Sequence, residues 1–123
     1  MSIHKNQSFP ARLKFALDGL SFALRSERSL RVQLAAFGAA LIALLWLRPG
    51  ALWWALVVLA SAAVLAAELF NTAIERLADE LHPQHGPGIR LVKDCAAAGV
   101  LIAVLGALGV AVAFAAHLLW RPA

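Results

Sequence analysis

Three long apolar stretches dominate the chain. The first, over 32–47, is apolar apart from Gln33, the second covers 51–70, and the third covers 95–119. At a rise of about 1.5 Å per residue, helices of this length cross or nearly cross a hydrocarbon core of about 30 Å. The pattern therefore predicts three transmembrane helices, over 28–47, 51–70 and 95–119.

Amphipathic segments flank these stretches. Over 10–25 the apolar residues fall on one side of a helix and the charged residues on the other, which predicts a helix lying in the membrane interface. Beyond Phe70 apolar positions recur at helical spacing, so the second span should continue to about residue 81. Ser26 is expected to cap the first span, with Glu27 in its first turn. The segment Arg48-Pro49-Gly50 predicts a tight turn, because proline cannot continue a helix and glycine tolerates turn dihedrals. The prolines and glycines over 83–88 predict a loop.

Composition supports a membrane protein. The 123 residues are 62% hydrophobic and 15% charged, whereas a soluble domain has roughly 45–50% apolar and 25% charged residues. This balance excludes a soluble enzyme, and the single cysteine, Cys95, excludes a disulfide framework or a cysteine-rich zinc site. We expect one domain, 1–123, with no cleaved signal peptide, since the first 31 residues contain no uninterrupted apolar core.

The basic residues predict an orientation, because Lys and Arg concentrate on the cytoplasmic side. Most lie before the first span or between the second and third: Lys5, Arg12, Lys14, Arg25, Arg28, Arg31, Arg76, Arg90 and Lys93. Only Arg48 and Arg121 fall on the other side, together with all four tryptophans, which favour membrane interfaces. The N-terminus is therefore expected inside and the C-terminus outside. The net charge of +4 needs no nucleic acid to explain it.

Glu68 is the most informative residue, because a carboxylate within an apolar span costs a few kcal/mol and marks a functional site by default. A structural hydrogen bond between helices is the alternative. Asn71, Glu75 and Asp79 share its helix face and form a polar stripe, with Thr72 at its margin. For Glu75 and Asp79 the alternative is a solvated face where the helix leaves the membrane.

A cation and further carboxylates gather at the same membrane surface. Glu27 opens the first span, and Lys93 and Asp94 open the third. Such a cluster suits a magnesium nucleotide, since Mg²⁺ uses one or two carboxylates plus phosphates and lysine attracts phosphate. The alternative for Lys93 is a snorkelling anchor. The chain has no P-loop and no protein-kinase signature.

Small residues at a spacing of four form a stripe in the third span: Gly99, Ala103, Ala107, Ala111 and Ala115. Together with Gly106 and Gly109, they predict close helix contacts. Because three short spans cannot easily enclose Glu68, we expect an oligomer with sites between protomers.

The run from Glu68 to Glu75, with Asp79 and Lys93-Asp94, resembles the small bacterial integral-membrane diacylglycerol kinases, which include undecaprenol kinases. Gly19-Leu20 and Glu27 with Arg31 fit the same pattern, so the resemblance covers nearly the whole chain.

The resemblance implies an all-α homotrimer with a surface helix and shared active sites in the bacterial inner membrane. It implies that MgATP phosphorylates a lipid alcohol, diacylglycerol in preference to undecaprenol. The implied roles are general base for Glu68, support for Asn71, metal and phosphate binding for Glu27 and Glu75, nucleotide binding for Lys93 and Asp94, and nucleotide proximity for Gln84 and His85. Arg31 is a candidate lipid contact, with an interfacial anchor as the alternative.

Two other classes of protein remain open. A proton-coupled transporter would use a buried Glu68 but does not explain why Asn71, Glu75 and Lys93 gather at one end. A non-catalytic assembly subunit could use the small-residue stripe for helix contacts, but it would have no need of the polar stripe on the second span.

Overall fold

The computed structural model describes residues 6–120, and that range is helical, with no strand. Its four helices are α1 (Phe9–Ser26), α2 (Arg28–Leu47), α3 (Ala51–Leu81) and α4 (Pro87–Leu119). The last three are long and apolar enough to cross a membrane. The all-α fold with an additional N-terminal helix is as expected from the sequence. Lys5 and Arg121, used above for the orientation, lie outside the described residues.

The turn between α2 and α3 depends on Arg48 and not on Gly50. Arg48 adopts the left-handed conformation (φ 47°, ψ 54°), whereas Gly50 has φ −62° and is the N-cap of α3. A left-handed residue after the last turn ends a helix, and Pro49, which follows, cannot continue one. The break expected at Arg48-Pro49-Gly50 is present, with Arg48 as its left-handed residue.

Two helix starts also differ from expectation. α4 begins at Pro87, eight residues before the expected start, because proline is tolerated in a first turn, where its missing N–H has no helical partner. Lys93 and Asp94 therefore lie in the second turn of α4 and do not open the helix. Ser26 is the last residue of α1, and Glu27 takes the N-cap position of α2 without a side-chain capping bond.

The helices α2, α3 and α4 run antiparallel to one another in chain order, with α3 in the middle. α3 packs most extensively on α4 and also contacts α2 and α1. Near one end, the Trp53 ring of α3 lies 5.1 Å from Phe114 and 5.2 Å from His117 of α4, measured between ring centroids. At the other end, Asp79 of α3 pairs with Lys93 of α4.

Unequal helix lengths create a protruding end. The 20 residues of α2 extend about 30 Å, whereas the 31 of α3 and 33 of α4 extend about 46 Å and 50 Å. The N-terminus of α2 lies level with Glu68, so α3 and α4 continue past it. We call this protruding part, which carries Glu75, Asp79 and Lys93, the charged end. There α1 packs on α3, with the Arg76 guanidinium carbon 4.6 Å from the centroid of the Phe22 ring.

Candidate functional site

Glu68 is buried and hydrogen-bonded to a neighbouring helix. Only 5% of the surface of Glu68 is exposed, and its Oε2 accepts a hydrogen bond of 2.6 Å from Ser29 Oγ of α2. Its backbone carbonyl accepts a second bond, of 3.0 Å, from Thr72 Oγ1. Among the described residues, no hydrogen bond reaches Oε1. A structural hydrogen bond between helices, the alternative to a functional role for Glu68, is therefore present. It leaves Oε1 free to accept from another donor.

A single protomer is sufficient to bury this carboxylate. Glu68 and Thr72 are both buried within the one chain, so the expectation that three short spans cannot easily enclose Glu68 was wrong. The reason is the crossing of α2 over α3 at Ser29, which covers the carboxylate. The burial of Glu68 therefore gives no reason of its own to expect an oligomer.

The N-terminus of α2 provides a favourable electrostatic environment for Glu68. Ser29 is the second residue of α2, whose N-cap makes no side-chain capping bond. The first amide groups of a helix carry partial positive charge. Glu68 lies at this positive end, which helps to explain how an acidic side chain is accommodated beneath a helix.

The rest of the polar stripe becomes more exposed with distance from Glu68. Asn71 and Glu75 are half-buried and Asp79 is exposed. The Asn71 Oδ1 atom is buried and has no hydrogen-bond partner in the part of the chain described. Because an unpaired buried polar atom is unfavourable, Asn71 is suited to receive a donor from a ligand or a partner.

Lys93 is paired with Asp79 and not with its neighbour Asp94. Its Nζ donates a hydrogen bond of 2.6 Å to Asp79 Oδ1. This bond from Lys93 holds the pKa of Asp79 below its ordinary value. Desolvation opposes it, and the charges of Lys93, Arg76 and His85 lower the pKa further. The pair links α3 to α4 at the charged end.

A groove of about 760 Å³ lies open beside the first turns of α4. It is lined by His85, Gly86, Pro87, Ile89, Arg90, Leu91, Lys93 and Asp94. Arg90 Nε lies 3.9 Å from Asp94 Oδ2 in an exposed ion pair. Gln84, expected near a nucleotide, accepts a hydrogen bond of 2.7 Å at its carbonyl oxygen from His82 Nδ1. The groove combines two cations with a carboxylate in an accessible position.

The two expected metal-binding carboxylates occupy separate elements. Glu27 lies at the corner between α1 and α2, and Glu75 lies on α3 seven residues beyond Glu68; both are half-buried. Within residues 6–120, no group of three or more His, Cys, Asp or Glu side chains could hold a metal. Two carboxylates suit the Mg²⁺ of a magnesium nucleotide, whose other ligands are phosphates and waters.

Arg31 makes contacts within the protein. Its Nη1 donates hydrogen bonds of 2.9 Å and 3.1 Å to the carbonyl oxygens of Leu24 and Arg25. These are carbonyls of the last turn of α1, which have no partner within their own helix. Arg31 thus holds the corner at which Glu27 lies.

An apolar groove of about 470 Å³ runs between α2 and α4 over the face of α3, lined by residues that include Gln33, Phe37, Val57, Val64 and Phe114. Ser29 lies one turn before Gln33 on α2, and Glu68 lies one turn after Val64 on α3. The lining of the groove therefore stops about one helical turn short of the Ser29–Glu68 hydrogen bond.

Gly99, Gly106 and Gly109 of α4 lie beside open space in the protomer. A methyl group added at Gly99, Gly106 or Gly109 would meet no atom within 4 Å. No helix of the same chain approaches these glycines closely.

Sequence reasoning did not include two of the residues that build this site. Ser29 follows Glu27 by two residues, and its position in the first turn of an apolar helix was the available signal. Arg90 precedes Asp94 by one helical turn, a spacing typical of ion pairs, but it was used only to orient the chain.

Known protein sequences are similar to this chain over most of its length. Residues 14–115 match the family model described as Prokaryotic diacylglycerol kinase. Over 95 residues the chain is 32% identical to a protein named Diacylglycerol kinase from Synechocystis sp. (strain ATCC 27184 / PCC 6803 / Kazusa). The match covers 76% of this chain and 54% of that protein, so the chain spans about half the length of this relative.

Proposed function

Because the chain belongs to the prokaryotic diacylglycerol kinase family, we propose that it transfers the γ-phosphate of ATP to the hydroxyl of diacylglycerol, giving phosphatidic acid and ADP. The observation that carries this proposal is the position of Glu68. Its buried carboxylate lies one helical turn beyond Val64, the last residue of α3 that lines the apolar groove, on the side of the charged end.

The two ends of the site suit the two substrates. The apolar groove suits an acyl chain, and Glu68, one helical turn beyond it, is placed to meet a hydroxyl just below the headgroup level. The groove beside Lys93 and Arg90 is open to water and carries the cations that attract polyphosphate. The γ-phosphate would lie between these two regions.

In the proposed reaction, the carboxylate of Glu68 accepts the proton of the lipid hydroxyl. The hydroxyl oxygen forms a bond to the γ-phosphorus, the bond from that phosphorus to the bridging oxygen breaks, and ADP leaves. The proton then passes from Glu68 to solvent. A positioned general base contributes about 10²–10⁴-fold to such a step, and the rest of phosphoryl transfer depends on positioning and charge neutralisation.

The other site residues position the nucleotide. Glu27 and Glu75 would hold Mg²⁺, which neutralises phosphate charge when bound. Lys93 and Arg90 would contact phosphate oxygens, with Asp94, Gln84 and His85 around the rest of the nucleotide. Asn71, whose Oδ1 has no partner among the described residues, would support the reacting groups. Because Nη1 of Arg31 donates to the α1 carbonyls, a lipid contact of Arg31 would use its Nε or Nη2.

We also propose the assembly and location that accompany this activity. The chain would form a homotrimer in the bacterial inner membrane, with its charged end and N-terminus in the cytoplasm, where ATP is available, and its C-terminus outside. The open faces at Gly99, Gly106 and Gly109 are consistent with packing against another protomer.

The test is incubation of purified protein in mixed micelles with radiolabelled ATP, Mg²⁺ and one lipid alcohol at a time. Label in phosphatidic acid, with equimolar ADP, is the expected result, and undecaprenol tests the related kinase activity of the family. The Glu68→Gln variant is the control for contaminating kinases. Proton-coupled solute uptake into sealed vesicles, without label in any lipid, would instead support the transporter.

A further inference from the structure

Ser29 contacts the proposed general base, Glu68, from a neighbouring helix. It lies on α2, 39 positions from Glu68 in the sequence, and its hydroxyl donates a hydrogen bond of 2.6 Å to Glu68 Oε2. That distance is typical of a strong bond between a hydroxyl and a carboxylate. Ser29 is itself exposed, whereas Glu68 is buried.

We propose that Ser29 is a positioning residue for the general base, holding Glu68 Oε2 so that Oε1 faces the lipid hydroxyl. This inference rests on the proposed function of Glu68. A glutamate has three side-chain torsions, and a carboxylate without a fixed partner rotates about the last of them freely. The hydrogen bond from Ser29 fixes that rotation. Oε2 is then held by Ser29, and Oε1 is left to accept the proton of the lipid hydroxyl.

The surroundings support this division of roles. Thr72 is bonded to the backbone carbonyl of Glu68 and not to its carboxylate. Ser29 is thus the side chain in the described part of the protein that donates to the carboxylate. Since Ser29 belongs to the first turn of α2, its position is set by the corner at Glu27, which Arg31 holds through the carbonyls of α1.

The alternative role for Ser29 is that of a phosphoryl acceptor. A hydroxyl within hydrogen-bond distance of a base has the geometry of an activated nucleophile. The two roles differ in a measurable product, because a nucleophile would become phosphoserine when ATP is present and lipid is absent. Under the positioning role, Ser29 is unmodified.

The experiment compares Ser29→Ala and Ser29→Thr with the wild-type protein in the micelle assay. We expect Ser29→Ala to lower kcat by about 10- to 100-fold, the loss typical of a hydrogen bond to a charged group, with KM for ATP changed less than about twofold. Ser29→Thr retains the hydroxyl and should restore kcat to within about threefold of wild type. The matched control is Ser26→Ala, which removes an exposed hydroxyl three residues earlier, at the end of α1, and should leave kcat unchanged.

A second comparison separates this proposal from the function on which it rests. In a Glu68→Gln background, Ser29→Ala should have less than about a twofold further effect, because the group that Ser29 positions has already lost its function. An equal loss in both backgrounds would overturn the positioning role, as would a Ser29→Thr variant that folds but is as slow as Ser29→Ala. Phosphoserine at position 29, detected by mass spectrometry, would also overturn it. Full activity of Glu68→Gln alone would instead overturn the proposed base.

Discussion

Lys93 and Asp79 join the protruding parts of α4 and α3, with 2.6 Å between the ammonium nitrogen and a carboxylate oxygen. Asp79 is the more exposed partner, with 61% of its side chain accessible against 29% for Lys93. An exposed ion pair contributes little to stability, so an incoming phosphate can displace Asp79. Asp79 therefore positions Lys93, the lysine proposed to bind the nucleotide, and a phosphate can take the place of Asp79 when the nucleotide binds.

This relationship predicts that Asp79→Asn strengthens nucleotide binding. Removing the competing charge should lower the apparent KM for MgATP by about two- to fivefold at low salt, with a smaller effect at high salt. Steady-state kinetics at two ionic strengths measure it. The matched control, Glu80→Gln, removes the same charge from the adjacent exposed position. An equal fall in KM for both variants would contradict specific competition for Lys93.

Asp79 also predicts a pH dependence of stability. Its pKa is lowered in the folded protein, chiefly by the hydrogen bond from Lys93. The pair therefore contributes its stability above the ordinary aspartate pKa of about 3.9, and this contribution is lost as the pH falls through the lowered value. Thermal unfolding in detergent should show a small Tm advantage of wild type over Asp79→Asn at pH 7 that disappears in acid. In a Lys93→Ala background the same substitution should show no such advantage at pH 7.

Glu68→Gln should lower kcat by about 10²–10⁴-fold. The amide oxygen can still accept the hydrogen bond from Ser29, so the protein should fold with normal thermal stability and a KM for ATP close to that of wild type. Glu80→Gln serves as the control for the loss of an acidic residue on α3. Activity within a few-fold of wild type would remove Glu68 from the role of base.

Glu27→Gln and Glu75→Gln should each raise the Mg²⁺ concentration for half-maximal activity by on the order of tenfold, because each loses a charged oxygen ligand. Activity titrated with Mg²⁺ at fixed ATP provides the measurement, with Asp18→Asn on the exposed face of α1 as the control. Metal curves that overlay wild type for both variants would indicate that the ion binds elsewhere.

Mixed oligomers test whether sites are shared. Glu68→Gln and Lys93→Ala are each expected to be inactive or nearly so. If base and lysine come from different protomers, each isolated mixed trimer should have one intact site in three and recover about a third of the wild-type activity, which is roughly a quarter for the unselected population. Co-expression with two affinity tags isolates the mixed species. No recovery in proven mixed oligomers would mean that one protomer supplies both groups.

The helical architecture could be predicted because its determinants are local. Apolar runs of the right length predict spans whatever their neighbours, and an acidic residue within such a run is conspicuous wherever the helices pack. Helix ends were less predictable. Pro87 was interpreted as part of a loop although a first turn accepts it, and the left-handed residue was Arg48 although glycine adopts that conformation most easily.

The sequence by itself determined three apolar helices, an amphipathic helix before them, and the face of α3 on which Glu68, Asn71 and Glu75 lie. Only the tertiary structure decided that α2 covers Glu68, that Ser29 is its partner, and that Lys93 pairs with Asp79 and not with Asp94. Helical periodicity gives the direction of a side chain around its own axis and carries no information about which residue of another helix lies opposite. That choice depends on the crossing point of α2 over α3 and on the early start of α4, which together bring Ser29 to Glu68 and Lys93 to Asp79.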